Sequence, residues 1–150
     1  MIQRVLTGLA LGWLLLLAPP LPAQQFEQIG DYQIHYSAVT TSFLPREVAE
    51  EHRIQRNPVM ALLNVSVLEE REAGTTRVVP ATVNGRVGEL GSGDGEPLAF
   101  RTLRSGDSVS QIAVFRIHED APMRFDLEVR YDRNSEPAEV SFIQRFYIDR

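Results

Sequence analysis

Three histidines, His35, His52 and His118, are the side chains of this chain best suited to metal binding. Zinc sites combine His, Cys and carboxylate ligands, and at least two of these ligands usually lie a few residues apart in the sequence. None of the three histidines forms such a pair with a second ligand, and the chain contains no cysteine. The sequence therefore predicts no metal site and no cofactor.

Covalent and acid–base catalysis are the other chemistry to consider. A serine hydrolase of the common type has its nucleophile in a Gly-x-Ser-x-Gly turn, which is absent, and Gly91-Ser92-Gly93 lies in a glycine-rich loop. The adjacent carboxylates Glu69-Glu70 and Glu119-Asp120 are poorly placed to act together, because neighbouring strand residues point to opposite faces. We therefore expect a protein that is not an enzyme.

Polar side chains in apolar surroundings are the remaining candidates for a binding site. Asn64 interrupts the apolar run 60–68, Gln144 lies on the expected inner face of the last strand, and Arg56 precedes the apolar run. Burying such a group without a partner costs about 1–3 kcal/mol, so each needs a hydrogen bond. We expect these bonds to be structural. The alternative is a small-ligand pocket near His35, Arg56 and Asn64.

The elements that must position these residues are mostly strands. Apolar and polar residues alternate over 31–38 and 123–131, while 60–68 and 109–117 are apolar on both faces, which is typical of strands inside a sheet. Asn84-Gly85 is a strong signal for a two-residue hairpin turn. The pattern predicts an all-β antiparallel sandwich of about seven to nine strands, with immunoglobulin-like topology preferred.

One segment has the composition of a helix. Residues 45–53 begin with Pro45, which suits a first helical turn, and contain good helix formers with acidic residues near the start. We therefore expect one short helix near residues 45–53, in the connection between two strands.

The first 23 residues have the layout of a cleavable signal peptide. Arg4 precedes an uninterrupted apolar run over 5–17, and a proline-rich exit ends at Ala23. A helix of 13 residues covers only about 20 Å of a hydrocarbon core about 30 Å thick. We therefore expect cleavage between Ala23 and Gln24, with no stable membrane anchor afterwards. An uncleaved anchor is the alternative.

Composition limits the compartment and the partners. The chain has a net charge of −5, and its acidic residues are spread along its length, so nucleic acid is not an expected partner. Without cysteine, the exported protein cannot form disulfides or carry a thioether-linked lipid. We expect residues 24–150 to form one β-sandwich domain that depends on its hydrophobic core alone.

The chain also resembles an exported bacterial family known as domain of unknown function 4426. The segments that carry the resemblance are Asp31-Tyr32-Gln33-Ile34-His35-Tyr36, Phe43-Leu44-Pro45, Val48-Ala49, Ile54-Gln55-Arg56, residues 61–67 and residues 142–147. This chain has Asn57 where the family commonly has serine. The resemblance implies a periplasmic β-sandwich from a Gram-negative bacterium, and it implies no established activity.

Three functions are consistent with these observations. The one we prefer is a non-enzymatic envelope accessory module that binds another envelope protein through a sheet edge or a loop end. A small-ligand binding domain is the alternative, and a hydrolase assembled from distant strands is the weakest of the three.

We expect the exported protein to begin at Gln24, because the small residue Ala23 directly precedes the predicted cut. Intact-mass and N-terminal peptide mass spectrometry of the protein from a periplasmic extract would check this. Material that retains Met1 would support the uncleaved anchor instead.

Overall fold

The structure is a computed structural model that describes residues 25–118 and 120–148. The predicted leader and its cleavage site at Ala23 and Gln24 lie outside these residues. The described residues form the ten strands β1 Gln25–Ile29, β2 Tyr32–Thr40, β3 Met60–Glu70, β4 Thr76–Val79, β5 Thr82–Glu89, β6 Glu96–Pro97, β7 Arg101–Ser105, β8 Ser108–Arg116, β9 Pro122–Arg130 and β10 Ala138–Arg145. The helix α1, Arg46–Glu51, lies within the predicted segment.

The strands form two antiparallel sheets. Sheet A has the order β1-β2-β3-β8-β7, with β4 also pairing with β3, and sheet B has the order β10-β9-β5-β6. Strands β2-β3-β8-β7 and β10-β9-β5 reproduce the A-B-E-D and G-F-C orders of an immunoglobulin constant domain. The prediction of an antiparallel, immunoglobulin-like β-sandwich is confirmed.

The described residues form ten strands, whereas the sequence predicts seven to nine. The first additional strand is β1, which pairs with β2 along its whole length although its sequence has no clear alternation. The second is β6, where Glu96 and Pro97 pair with β5 at the end of the glycine-rich loop. Both are edge strands, and their pairing is set by the neighbouring strand more than by their own sequences.

A single hydrophobic core fills the space between the sheets. The alternation predicted in β9 is confirmed, since Met123, Phe125, Leu127 and Val129 are all buried. The ring of Phe125 stacks on Phe142 of β10 with centroids 4.5 Å apart and meets Phe115 of sheet A edge-on at 5.2 Å. Aromatic contacts thus join the two sheets at the centre of the sandwich.

A second, smaller core lies on the other side of sheet A. The connection from β2 to β3 crosses the outer face of this sheet, and Ala49 and Ile54 are buried there against Leu62 and Ile112. A helix this short is not stable alone, so its packing on the sheet holds it in place. The outer face of sheet A is therefore partly covered by α1.

The hairpin predicted at Asn84-Gly85 is wrong, because both residues lie within the continuous strand β5. Gly85 does not have a positive φ. A Cβ atom at Gly85 would lie 2.5 Å from Cδ2 of Leu127 and 2.8 Å from the carbonyl oxygen of Asp126. The glycine therefore allows the close approach of β9 and does not form a turn.

We predict that Gly85→Ala destabilises the protein by about 1–3 kcal/mol, since the added methyl must displace Leu127 or the backbone of β9. Urea unfolding monitored by circular dichroism would measure the change. The control is Asn84→Ala, an exposed neighbour for which we expect a change within about 0.5 kcal/mol. Equal effects of the two substitutions would contradict this account of Gly85.

Candidate functional site

Two of the four predicted binding residues lie on the outer face of sheet A. His35 on β2 is opposite Ser66 on β3, and Asn64 is opposite Ser37. Ala61, Leu63, Val65 and Val67 of β3 point into the main core, so Asn64 points the other way. His35 and Asn64 are diagonal neighbours across two strands, a relation that typically separates residues by about 7–8 Å.

The His35 side chain is held by packing and by one hydrogen bond. Its ring stacks on Phe26 of β1 at a centroid distance of 5.2 Å, and Nε2 lies 2.9 Å from Oε1 of Gln33. Burial lowers the pKa of His35 from its ordinary value, because desolvation disfavours the imidazolium. The ring is therefore neutral at physiological pH and serves as a packing surface.

Arg56 and Gln144 lie elsewhere and bond to backbone carbonyls. Arg56 follows α1, is exposed, and donates from Nη2 to the carbonyl of Ser42 at 2.8 Å. Gln144 of β10 donates from Nε2 to the carbonyl of Ala38 on β2 at 3.1 Å, which links the two sheets. Among the described residues, pairing between β1 and β2 ends at Tyr36, and Gln144 bonds to β2 beyond that point. Both contacts have a structural role.

A cleft lies on the outer face of sheet A between α1 and the β7–β8 hairpin. Its volume is about 270 Å³, and we call it the α1 cleft. Its apolar lining includes Leu44, Ile54, Leu62, Leu103 and Ile112. Asn64 reaches it, but His35 and Arg56 do not line it. The structure thus forms a concavity at one of the three residues of the predicted pocket.

The polar residues beside Asn64 in the α1 cleft are His52, at the end of α1, and three serines of the β7–β8 hairpin, Ser105, Ser108 and Ser110. None of these four residues belongs to the pocket predicted from the sequence. The alternation of Ser108, Ser110 and Ile112 along β8 was a signal that these residues share a face. Nothing in the sequence indicated that α1 would cover that face.

The histidines are spread over the molecule. His118, after β8, lies with Nδ1 3.2 Å from Oε1 of Glu89, at a more polar cavity of about 630 Å³ beside the β5–β6 turn. His35 and His52 lie on β2 and after α1. Among residues 25–118 and 120–148, no three His, Cys, Asp or Glu side chains are arranged to hold a metal ion. No helix in this part of the chain is long and apolar enough to cross a membrane.

The family model described as "Domain of unknown function (DUF4426)" matches residues 26–149. The chain belongs to the DUF4426 family. This confirms the family suggested by the sequence, and a search of curated proteins found no match.

Solved structures share the fold of this DUF4426 protein. A DUF4426 family protein from Pseudomonas aeruginosa is 24% identical with a TM-score of 0.68, and the match covers 85% of this chain and 97% of that one. The FetP protein of uropathogenic Escherichia coli, recombinantly expressed in the periplasm of E. coli, is 9% identical with a TM-score of 0.60, and the match covers 85% of this chain and 95% of that one. A copper-bound FetP variant is 10% identical with a TM-score of 0.58, covering 83% and 95%.

We predict that His35 makes the stability of the protein depend on pH. The folded-state pKa is depressed, so below the ordinary value of 6.5 the unfolded chain binds a proton more readily than the folded protein does. The stability gained from a neutral His35 is therefore complete above that value and lost as the pH falls towards the folded-state pKa.

Urea unfolding at about pH 8 and about pH 5 would test this in the wild type and in His35→Gln. We expect a smaller loss of unfolding free energy at the lower pH in the variant. Ser37→Ala, on the same face of β2, is the control and should behave like the wild type. An unchanged pH dependence in His35→Gln would contradict the assignment.

Proposed function

We propose that this protein is a non-enzymatic module of the periplasm that binds another envelope protein through the outer face of sheet A. The observation that supports the proposal is the distribution of exposed apolar side chains. Of the eight large apolar side chains exposed in the described residues, five belong to this side: Phe26, Val39 and Val114 on strands of sheet A, and Phe43 and Val48 on the connection that crosses it, whereas Leu90, Ile143 and Tyr147 lie elsewhere. Exposed apolar residues gathered on one side of a domain are typical of a protein-binding surface.

Two exposed valines at the centre of this surface flank a buried leucine in one row across three strands. Val39 of β2 is opposite Leu62 of β3, and Leu62 is opposite Val114 of β8. Leu62 is buried beneath α1, whereas the valines on either side of it are exposed. A partner that covers Val39 and Val114 would therefore extend a hydrophobic layer that α1 already begins.

The outer face of sheet B is more polar, because charged residues alternate along β9, although Ile143 of β10 is also exposed there. On β9 the outward residues include Arg124, Asp126 and Glu128, and Asp126 accepts hydrogen bonds from Ser141 and Arg124. The hydrogen bond from Ser141 and the contacts with Arg124 lower the pKa of Asp126. Such a face stays hydrated, which favours sheet A as the binding side.

Export is the second part of the proposal. The apolar leader and the proline-rich exit before Gln24 support it, and the shared fold of FetP, which was recombinantly expressed in the periplasm, is compatible with it. We do not include copper binding, which the FetP variant shows, in the proposal for this protein. The part of the chain that the structure describes has no cluster of three His, Cys, Asp or Glu side chains.

We predict that Val114→Asp abolishes capture of the partner. Binding would bury the new carboxylate at the centre of an apolar interface, where it loses its hydration and has no counter-ion. The measurement is cross-linking in intact cells, followed by affinity purification and mass spectrometry. Ile143→Asp on β10 is the matched control, because Ile143 is 56% exposed and Val114 is 42% exposed, on opposite sheets. Both variants should fold with wild-type circular dichroism spectra.

Two outcomes would overturn the proposal. One is capture of the same protein by wild type and Val114→Asp at equal yield. The other is recovery of only a second copy of this chain, which size-exclusion chromatography with light scattering would reveal as a dimer.

A further inference from the structure

We propose that Tyr32 and Tyr131 form a site of oxidative modification, at which a peroxide-driven one-electron oxidant couples the two phenol rings into dityrosine. Tyr32 is the first residue of β2 in sheet A, and Tyr131 directly follows β9 of sheet B. The two residues are about a hundred positions apart in the sequence, so the fold alone brings them together. The bond adds a covalent link between the sheets, which the unmodified protein, having no cysteine, lacks.

The distance between the two rings is the main observation behind this site. Their centroids lie 4.4 Å apart, and the ring planes are inclined by 36°. This separation is just below the range of about 4.5–7 Å that is usual for aromatic pairs. The rings of Tyr32 and Tyr131 are therefore already in van der Waals contact, and coupling requires no rearrangement of the sandwich.

Both rings of the pair are also accessible to an oxidant in solution. Tyr32 and Tyr131 are half-buried at the margin of the main core. Tyr36, by contrast, stacks on Phe142 between the sheets and is only 7% exposed. An oxidant can thus withdraw an electron from the pair at the end of the sandwich, while Tyr36 is shielded.

The remaining tyrosine, Tyr147, is 66% exposed but lies at the other end of the molecule. It follows Arg145, which is opposite Pro122 at the start of β9. Tyr131 follows the end of the same strand, and a strand of nine residues is about 30 Å long. Tyr147 therefore cannot couple with Tyr131 in one molecule, although it can couple with a second copy of the chain.

The coupling removes two electrons and two protons from the pair. Each phenol loses one electron and its hydroxyl proton, which leaves two neutral phenoxyl radicals with unpaired electron density on the carbons ortho to the oxygens. One C–C bond forms between two ortho carbons, and the hydrogens they carried pass through solvent to the phenol oxygens. Hydrogen peroxide accepts the two electrons and two protons through a haem peroxidase and yields two molecules of water.

The environment of Tyr131 determines its protonation before oxidation. Burial, the neighbouring Tyr32 and Asp132 raise the pKa of Tyr131 above its ordinary value, because all three disfavour the phenolate. The hydroxyl is therefore protonated at neutral pH, and its proton leaves together with the electron.

The test treats the dilute, whole exported protein with hydrogen peroxide and a haem peroxidase. Trypsin, which cleaves after arginine, then leaves Tyr32 in the peptide that ends at Arg46 and Tyr131 in the tripeptide 131–133. We expect these peptides to be joined, with a mass two hydrogen atoms below their sum, in a protein that stays monomeric on a denaturing gel. Fragmentation in the mass spectrometer should place the bond on Tyr32 and not on Tyr36.

Three variants locate the bond. Tyr32→Phe and Tyr131→Phe should each abolish the joined peptide and the dityrosine fluorescence of the monomer, because coupling needs two phenols. Tyr147→Phe is the matched control and should give the wild-type yield. All three should have wild-type circular dichroism spectra. In wild type unfolded in urea the yield should fall at least about tenfold, since the rings are no longer held together.

The cross-link should also stabilise the fold, because it closes a loop of about a hundred residues and restricts the unfolded chain. We expect its thermal midpoint to exceed that of equally treated Tyr131→Phe by at least about 5 °C. An unchanged or lower midpoint would show that the native sandwich does not accommodate the bond. Coupling that persists in Tyr131→Phe monomers, or that occurs only between copies through Tyr147, would equally overturn the proposed site.

Discussion

The packing of aromatic rings between the two sheets is the interaction on which this structure depends. Phe125 and Phe142 stack with their ring planes only 5° apart, and Tyr36 of sheet A stacks on Phe142 at 4.6 Å. An antibody domain joins its two sheets with a disulfide, whereas this chain has no cysteine. Its stability must therefore come from burial and from the fit of the rings, which no covalent bond supplements.

This core determines which surfaces remain for function. Every strand that contributes one face to the core leaves its other face outside, and the two outer faces differ. Sheet B exposes charged residues that pair with each other, as Arg124 does with Asp126. Sheet A exposes apolar residues and receives α1, which buries Leu62 and leaves a cleft beside Asn64. The difference in polarity between the outer faces is the physical basis for assigning the binding side.

The sequence predicts those strands and helices whose own residue pattern reflects which of their faces is buried. Strand β9 alternates because one face is in the core, and the segment around α1 has a helical composition, so both could be recognised locally. The role of Gly85 could not be recognised locally. A glycine is needed there because of the close contact with Leu127, which lies more than forty residues away in the sequence. A dipeptide such as Asn84-Gly85 reports a preference for turns, and here a contact between strands overrides it.

The same distinction explains how much of the candidate site was predictable. Asn64 and Gln144 were identifiable because a polar residue in an apolar pattern needs a partner, and Gln144 has one in the Ala38 carbonyl. The lining of the α1 cleft was not identifiable from the sequence, because Ser110 is an ordinary outward-facing residue of β8 unless α1 lies above it. The position of α1 depends in turn on the Arg101 hydrogen bond and on the second core, which form only when β8 pairs with β3 and β7 pairs with β8. The cleft is thus a product of tertiary structure, and its Asn64 amide is the part that the sequence alone could indicate.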